Sequence, residues 1–255
     1  MTKFDDCVLI SDIPGSGKSS TLREIYLKLL GVNPTVWHAF VDLKEHLKEL
    51  QEDFDNFSQF FVVKILKLSG LDLLFFLELY KDEKVRIFLD GFDEISPVCK
   101  ENCIKLMKLF ESNQIWLTTR THLECELKKK LETEAFELKP LNKEKQVEFL
   151  CEFWKHAGNY SKNSQDFATK IVEQLEKLVG SWWDSENLIG LPLQLRMLGE
   201  ICGNNQINSD ILSGNLKFIE IYRKFVDCKL EILVKEKGKL GEEANKLSSL
   251  NSANF

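Results

Sequence analysis

Asp12-Ile-Pro-Gly-Ser-Gly-Lys-Ser19 is the stretch on which the fold turns. It follows a short apolar run, Cys7 to Ser11, and passes into Thr21 to Leu30, whose apolar residues recur at helical spacing. The predicted order is strand, glycine loop, helix. The stretch fits the pattern GxxxxGK[ST] at every fixed position except the first glycine, where Asp12 stands. Gly15 and Gly17 allow successive backbone N–H groups to turn toward one point, and the helix N-terminus adds a potential that favours an anion there. Pro14, Ser16 and Ser20 complete the candidate binding loop. Lys18 is placed to reach the β- and γ-phosphates of a nucleotide and Ser19 to set its hydroxyl on Mg²⁺. At Asp12 a carboxylate repels phosphate or strains a turn that glycine makes freely. At the edge of the loop either effect weakens binding at most.

Outward from the loop, strand and helix patterns alternate. Thr35 to Leu43 reads as a second strand, Phe57 to Leu68 as an amphipathic helix, and Val85 to Leu89 as a third strand. A helix from Cys103 to Phe110 leads to a fourth strand, Gln114 to Thr119. After the charged run Glu124 to Lys130 comes a short fifth, Ala135 to Leu138. Such alternation predicts an α/β domain whose parallel sheet is covered on both faces, because parallel neighbours need crossover connections. After Pro140 the strand signal stops. Lys143 to Trp154, Phe167 to Leu178, Pro192 to Ile201 and Phe218 to Lys235 carry helical periodicity, while Lys235 to Lys246 reads as a solvated helix end before a frayed tail.

Leu89-Asp-Gly-Phe-Asp-Glu94 closes the third strand with a cluster of acids. Asp90 fits the magnesium position of a phosphate-loop ATPase, and Gly91 leaves space for the metal and its waters. Asp93 and Glu94 are both candidates to polarise an attacking water. Trp116-Leu-Thr-Thr-Arg120 ends the fourth strand, which in sheets of this class lies between the two carrying the loop and the acids. Arg120, a fixed planar cation, is placed there to report whether a γ-phosphate is present.

Composition narrows the rest. In 255 residues, 44% hydrophobic and 11% aromatic content supply a full core, which excludes disorder and disulfide-dense scaffolds. A net charge of −6 argues against a nucleic-acid-binding face or an anionic membrane surface. The apolar stretch Leu71 to Leu79 is broken by Asp72 and Glu78, well short of the about 20 residues a bilayer needs. Seven cysteines without a CxxC pair suit a reducing compartment, with thiols as small buried hydrophobes. The dispersed histidines suggest no metal site, and His38 reads as a satisfied core imidazole. Asp5 and Asp6 interrupt any signal-peptide core, so the cytosol is the expected compartment.

Taken together, these motifs, with Leu138-Lys-Pro-Leu141 and Gly190-Leu-Pro-Leu193, resemble the NACHT domain of STAND-class ATPases. The small residue after the magnesium-binding acid, with further acids just beyond it, is the feature most specific to that family. Leu191-Pro-Leu-Gln-Leu-Arg-Met-Leu198 and Ile221-Tyr-Arg-Lys-Phe225 are especially similar to arthropod members. The resemblance implies a nucleotide-binding NACHT domain over 1–139, a helical subdomain over 140–207 and the start of a winged-helix region over 208–255. It implies an ATP/ADP switch with slow Mg²⁺-dependent hydrolysis, closed with ADP, opening with ATP and self-associating through the NACHT region, with signalling partners unnamed. Pro192 would lie against adenine or ribose, where an early-helix proline offers a rigid apolar face. Trp182-Trp183 is expected to pack in a core or interface.

The family resemblance further implies that the chain is an incomplete receptor. It shows no effector module, repeat array or winged-helix histidine after His156, and Phe218, Ile221, Phe225 and Leu233 are expected to be exposed. The alternative function is a degenerate, nucleotide-free scaffold or interaction module, motivated by Asp12 and by the expected incomplete end. Helicase, transporter and kinase classes lack their further motifs here.

Overall fold

A computed structural model describes residues 7–54, 56, 58–110, 113–158, 164–179, 190–203, 222–227 and 229–230. Five strands, β1 (Cys7–Ser11), β2 (Trp37–Asp42), β3 (Val85–Asp90), β4 (Gln114–Thr119) and β5 (Ala135–Phe136), make one sheet in the order β2-β3-β4-β1-β5. All four pairings are parallel. The crossovers that parallel pairing demands are supplied by α1 (Lys18–Val32), α2 (Leu47–Gln51), α3 (Gly70–Lys81), α4 (Pro97–Lys108) and α5 (Thr121–Leu131). The α/β class and the five-stranded parallel sheet expected from the sequence are those observed. β4 lies between β1 and β3.

Side-chain alternation divides the sheet into two faces. Leu9, Ile87, Leu89, Ile115 and Leu117 enter the larger core, which also takes Phe61, Phe76 and Phe110. Ile10 and Phe88 meet Leu22 of α1 on the other face, with Val8 and Trp116 beside them. The same alternation carries Asp90 and Thr118 to the α1 side at the strand ends.

Several elements differ from the sequence expectation. Gly70–Lys81 is a helix, although its apolar residues show no single stripe: Phe76 is buried while Leu71, Leu74 and Phe75 are exposed. Thr121–Leu131 is also a helix, held by buried Leu127 and Leu131 beneath its charged surface. Ser58–Ile65 winds as a π-helix, with Leu66 N–H donating to the carbonyl of Phe61 five residues back. His38 is buried, but its Nε2 has no hydrogen-bond partner, which corrects its reading as satisfied. Among the described cysteines Cys7, Cys99, Cys103 and Cys202 are buried thiols, whereas Cys125 is exposed and Cys151 half-buried.

The chain divides into two compact units, Met1–Lys139 and Pro140–Phe255. In the second, α6 (Lys143–His156), α7 (Ser164–Val179) and α8 (Pro192–Gly203) surround a core that includes Leu150, Trp154, Ile171, Leu195 and Leu198. Trp154 satisfies its indole N–H on the Gly199 carbonyl at 2.8 Å. Residues 222–227 are helical, and Phe225 is partly buried against this core rather than exposed. Phe218, Ile221, Leu233, Trp182-Trp183, the Lys235 to Lys246 stretch and the expected winged-helix start from Asn208 lie outside the described residues. No helix among the described residues is long and apolar enough to cross a membrane.

Candidate nucleotide site

The loop between β1 and α1 turns through Gly15 at φ 83° and Gly17 at φ 93°, conformations that side chains with a Cβ rarely adopt. Gly17 is also the N-cap of α1. No side chain caps that end and no acid stands in its first turn, so the helix terminus carries no internal anion of its own. Lys18 folds back over the loop and donates to the carbonyls of Asp12 and Ile13, each at 2.9 Å. Burial lowers its pKa from the ordinary lysine value, while the facing carboxylates of Asp93, Asp12 and Asp90 oppose that shift and Arg120 adds to it. Ser16 is buried with an unpartnered hydroxyl, while Pro14 and Ser20 are exposed.

Across the sheet from the loop, Ser19 Oγ donates to Asp90 Oδ1 at 3.0 Å, joining residues 71 positions apart. Thr118 completes this junction. Its hydroxyl donates to the same Asp90 oxygen at 2.5 Å and accepts the Gly91 amide at 2.9 Å. A carboxylate fixed by two hydroxyls at the loop's rim suits Mg²⁺, which takes one or two protein oxygens and keeps several waters. Among the described residues there is no cluster of three or more His, Cys, Asp or Glu side chains suited to a metal.

The distal acids part company. Asp93 is 7% exposed and pairs with Arg120 Nε at 2.7 Å, so both already have a partner. Glu94 is 45% exposed and lies 3.9 Å from Lys44, whose nearer partner is Asp42 at 3.3 Å. Pro192 begins α8 in the second unit.

Asp12 does not show the backbone strain expected of it. Non-glycine residues with positive φ among those described are Lys67, Glu83 and Glu132, so Asp12 takes its place without left-handed strain. Its carboxylate is engaged by two amides, Ile13 N–H at 2.6 Å on Oδ1 and Leu138 N–H at 3.1 Å on Oδ2.

Thr118 was missed from the sequence, although a signal existed. Strand periodicity puts it on the same face as Trp116, and the placement of β4 beside the acid-bearing strand brings it to Asp90. The strand, glycine loop and helix, with the acid-tipped β3 on the far side of β4 from β1, give the first unit an α/β fold of the phosphate-loop NTPase type.

No family model matches the chain, and no curated protein matches it. Among solved structures it is similar to one titled "Structure of C. elegans PCH-2", at 14% identity and a TM-score of 0.42, over 76% of this chain and 62% of that one. A likeness at that level identifies neither family nor activity.

Proposed function

We propose that this chain is an ATP/ADP-binding switch of the NACHT/STAND type with slow Mg²⁺-dependent hydrolysis. The observation that carries the proposal is the bond between Ser19 and Asp90, which brings the loop hydroxyl and the strand-end acid of two separate motifs to one point. Lys18 supplies the positive charge that phosphate oxygens meet, and the amides of Gly15 to Ser20 supply directed donors. Ser19 and Asp90 would hold Mg²⁺, which when bound neutralises phosphate charge as a Lewis acid. Glu94, open to solvent, is the better placed of the two acids to orient a water and accept its proton. Asp93 is occupied by Arg120, so that arginine reports on a γ-phosphate by leaving its partner.

The finer parts of the proposal follow the sequence resemblance. Pro192 would contact the base or ribose, opening would permit self-association, and buried free thiols accord with a cytoplasmic setting. Against the scaffold alternative, Asp12 neither strains the loop nor stands unpartnered.

Equilibrium titration with a fluorescent ATP analogue, with and without Mg²⁺, tests the proposal. Saturable binding displaced by both ATP and ADP is expected. Absence of saturable binding at millimolar analogue would overturn it.

A further inference from the structure

Asp12 occupies the one position where this loop departs from its motif, and four contacts converge on it. Its amide donates to the Thr119 carbonyl at the end of β4 at 3.3 Å, and its own carbonyl accepts from Lys18 at 2.9 Å. One carboxylate oxygen takes the next amide of the loop, and the other takes the amide of Leu138, 126 residues away. Leu138 lies just before the end of the first unit at Lys139, and its side chain packs with Ile10, Leu22 and Phe88 under α1. Glycine at position 12 has no group that could make either side-chain bond. A charged acceptor also bonds an amide more strongly than a neutral one does.

We propose that Asp12 is a positioning residue that ties the phosphate loop to the chain's exit from the first unit, so that occupation of the loop is felt at Leu138. The coupling half of this inference rests on the nucleotide-binding reading above; the tie itself does not. Lys18 and Leu138 both pull on Asp12, one on its main chain and one on its side chain. A phosphate that draws the Lys18 ammonium away alters the load on the residue that holds Leu138.

Amide hydrogen exchange of the full chain, read on peptides covering Leu138, separates the two halves. Without nucleotide, Asp12→Ala and Asp12→Gly should speed exchange at Leu138 by at least about tenfold, the scale expected for loss of a charge-assisted bond. Asp12→Asn, which keeps one carbonyl acceptor, should rescue part of that protection. Exchange in β4 and the melting temperature should stay near the parent's, since alanine fits the backbone there. Unchanged exchange at Leu138 in Asp12→Ala would overturn the tie. With each protein saturated with Mg-ATP as judged by its own titration, the parent should change its exchange at Leu138 and Asp12→Ala should not. A parent that binds ATP with no response at Leu138 would overturn the coupling. A parent that binds no nucleotide refutes the functional proposal instead, and the nucleotide-free comparison still decides the tie.

Discussion

Arg120 and Asp93 form an ion pair, Nε to Oδ2 at 2.7 Å, in which the Asp93 side chain is 7% exposed and that of Arg120 46%. An acid so engaged is poorly placed to accept a proton from water, and in the proposed switch the neighbouring Glu94 would do it. Glu94→Gln should therefore slow ATP turnover by about a hundredfold with nucleotide affinity kept, as removal of a general base does. Asp93→Asn should instead lower stability by about 1 kcal/mol or less, since Arg120 is substantially solvated. Single-turnover hydrolysis and urea unfolding of both variants make the comparison. Equal turnover in Glu94→Gln and the parent would place the base elsewhere.

Thr118 links Asp90 to the backbone of Gly91 through one hydroxyl. Thr118→Val keeps the shape of the buried side chain and removes both bonds. Mg²⁺-dependent nucleotide affinity should fall by about tenfold, with Mg²⁺-independent affinity unchanged, in keeping with the loss of a hydrogen bond to a charged group. Titration at several Mg²⁺ concentrations reads the split.

How far the sequence alone reached can be seen residue by residue. The loop, the parallel sheet and the order of β1, β3 and β4 were legible because glycine spacing and strand periodicity are local signals. Ser19 and Asp90 were assignable to one site for the same reason, before their contact was seen. α3 was not legible, because Leu71, Leu74 and Phe75 face outward while Phe76 is buried, which erases the helical stripe. α5 was hidden behind its charges, although Leu123, Leu127 and Leu131 recur every four residues. The role of Asp12 could not be read at all. Its partner Leu138 is 126 positions away, and only the pairing of β5 with β1 brings the two together.

His38 offers a pH test of the core. It is buried beside Phe88, its Nε2 is unpartnered, and burial, with Arg86 adding, lowers its pKa from the ordinary value of 6.5. The unfolded chain thus takes up this proton first as pH falls. The neutral imidazole's contribution is whole above about pH 6.5 and lost progressively below it. In His38→Phe the decline of unfolding free energy between about pH 6.5 and 5 should be shallower than in the parent. Equal slopes would show that His38 does not titrate differently on folding.

Gly190 packs where a side chain cannot. A Cβ there would lie 2.6 Å from the Pro140 Cβ and 2.9 Å from the Leu141 carbonyl oxygen, while the Gly190 carbonyl accepts the Leu141 amide at 2.9 Å. Gly190→Ala should destabilise the second unit by about 1–3 kcal/mol, the usual cost of overpacking. Urea unfolding followed by tryptophan fluorescence measures it.

The central claim is that Lys18 and its loop bind a nucleotide, and thermal unfolding with and without Mg-ATP tests it most directly. Ligand at 100 times its dissociation constant adds about 2.7 kcal/mol, which for a protein of this size raises the melting temperature by about 5–10 °C. The parent should show that rise and Lys18→Ala should show none, with the two proteins melting alike in the absence of nucleotide. An equal rise in both, or none in the parent, would contradict the account.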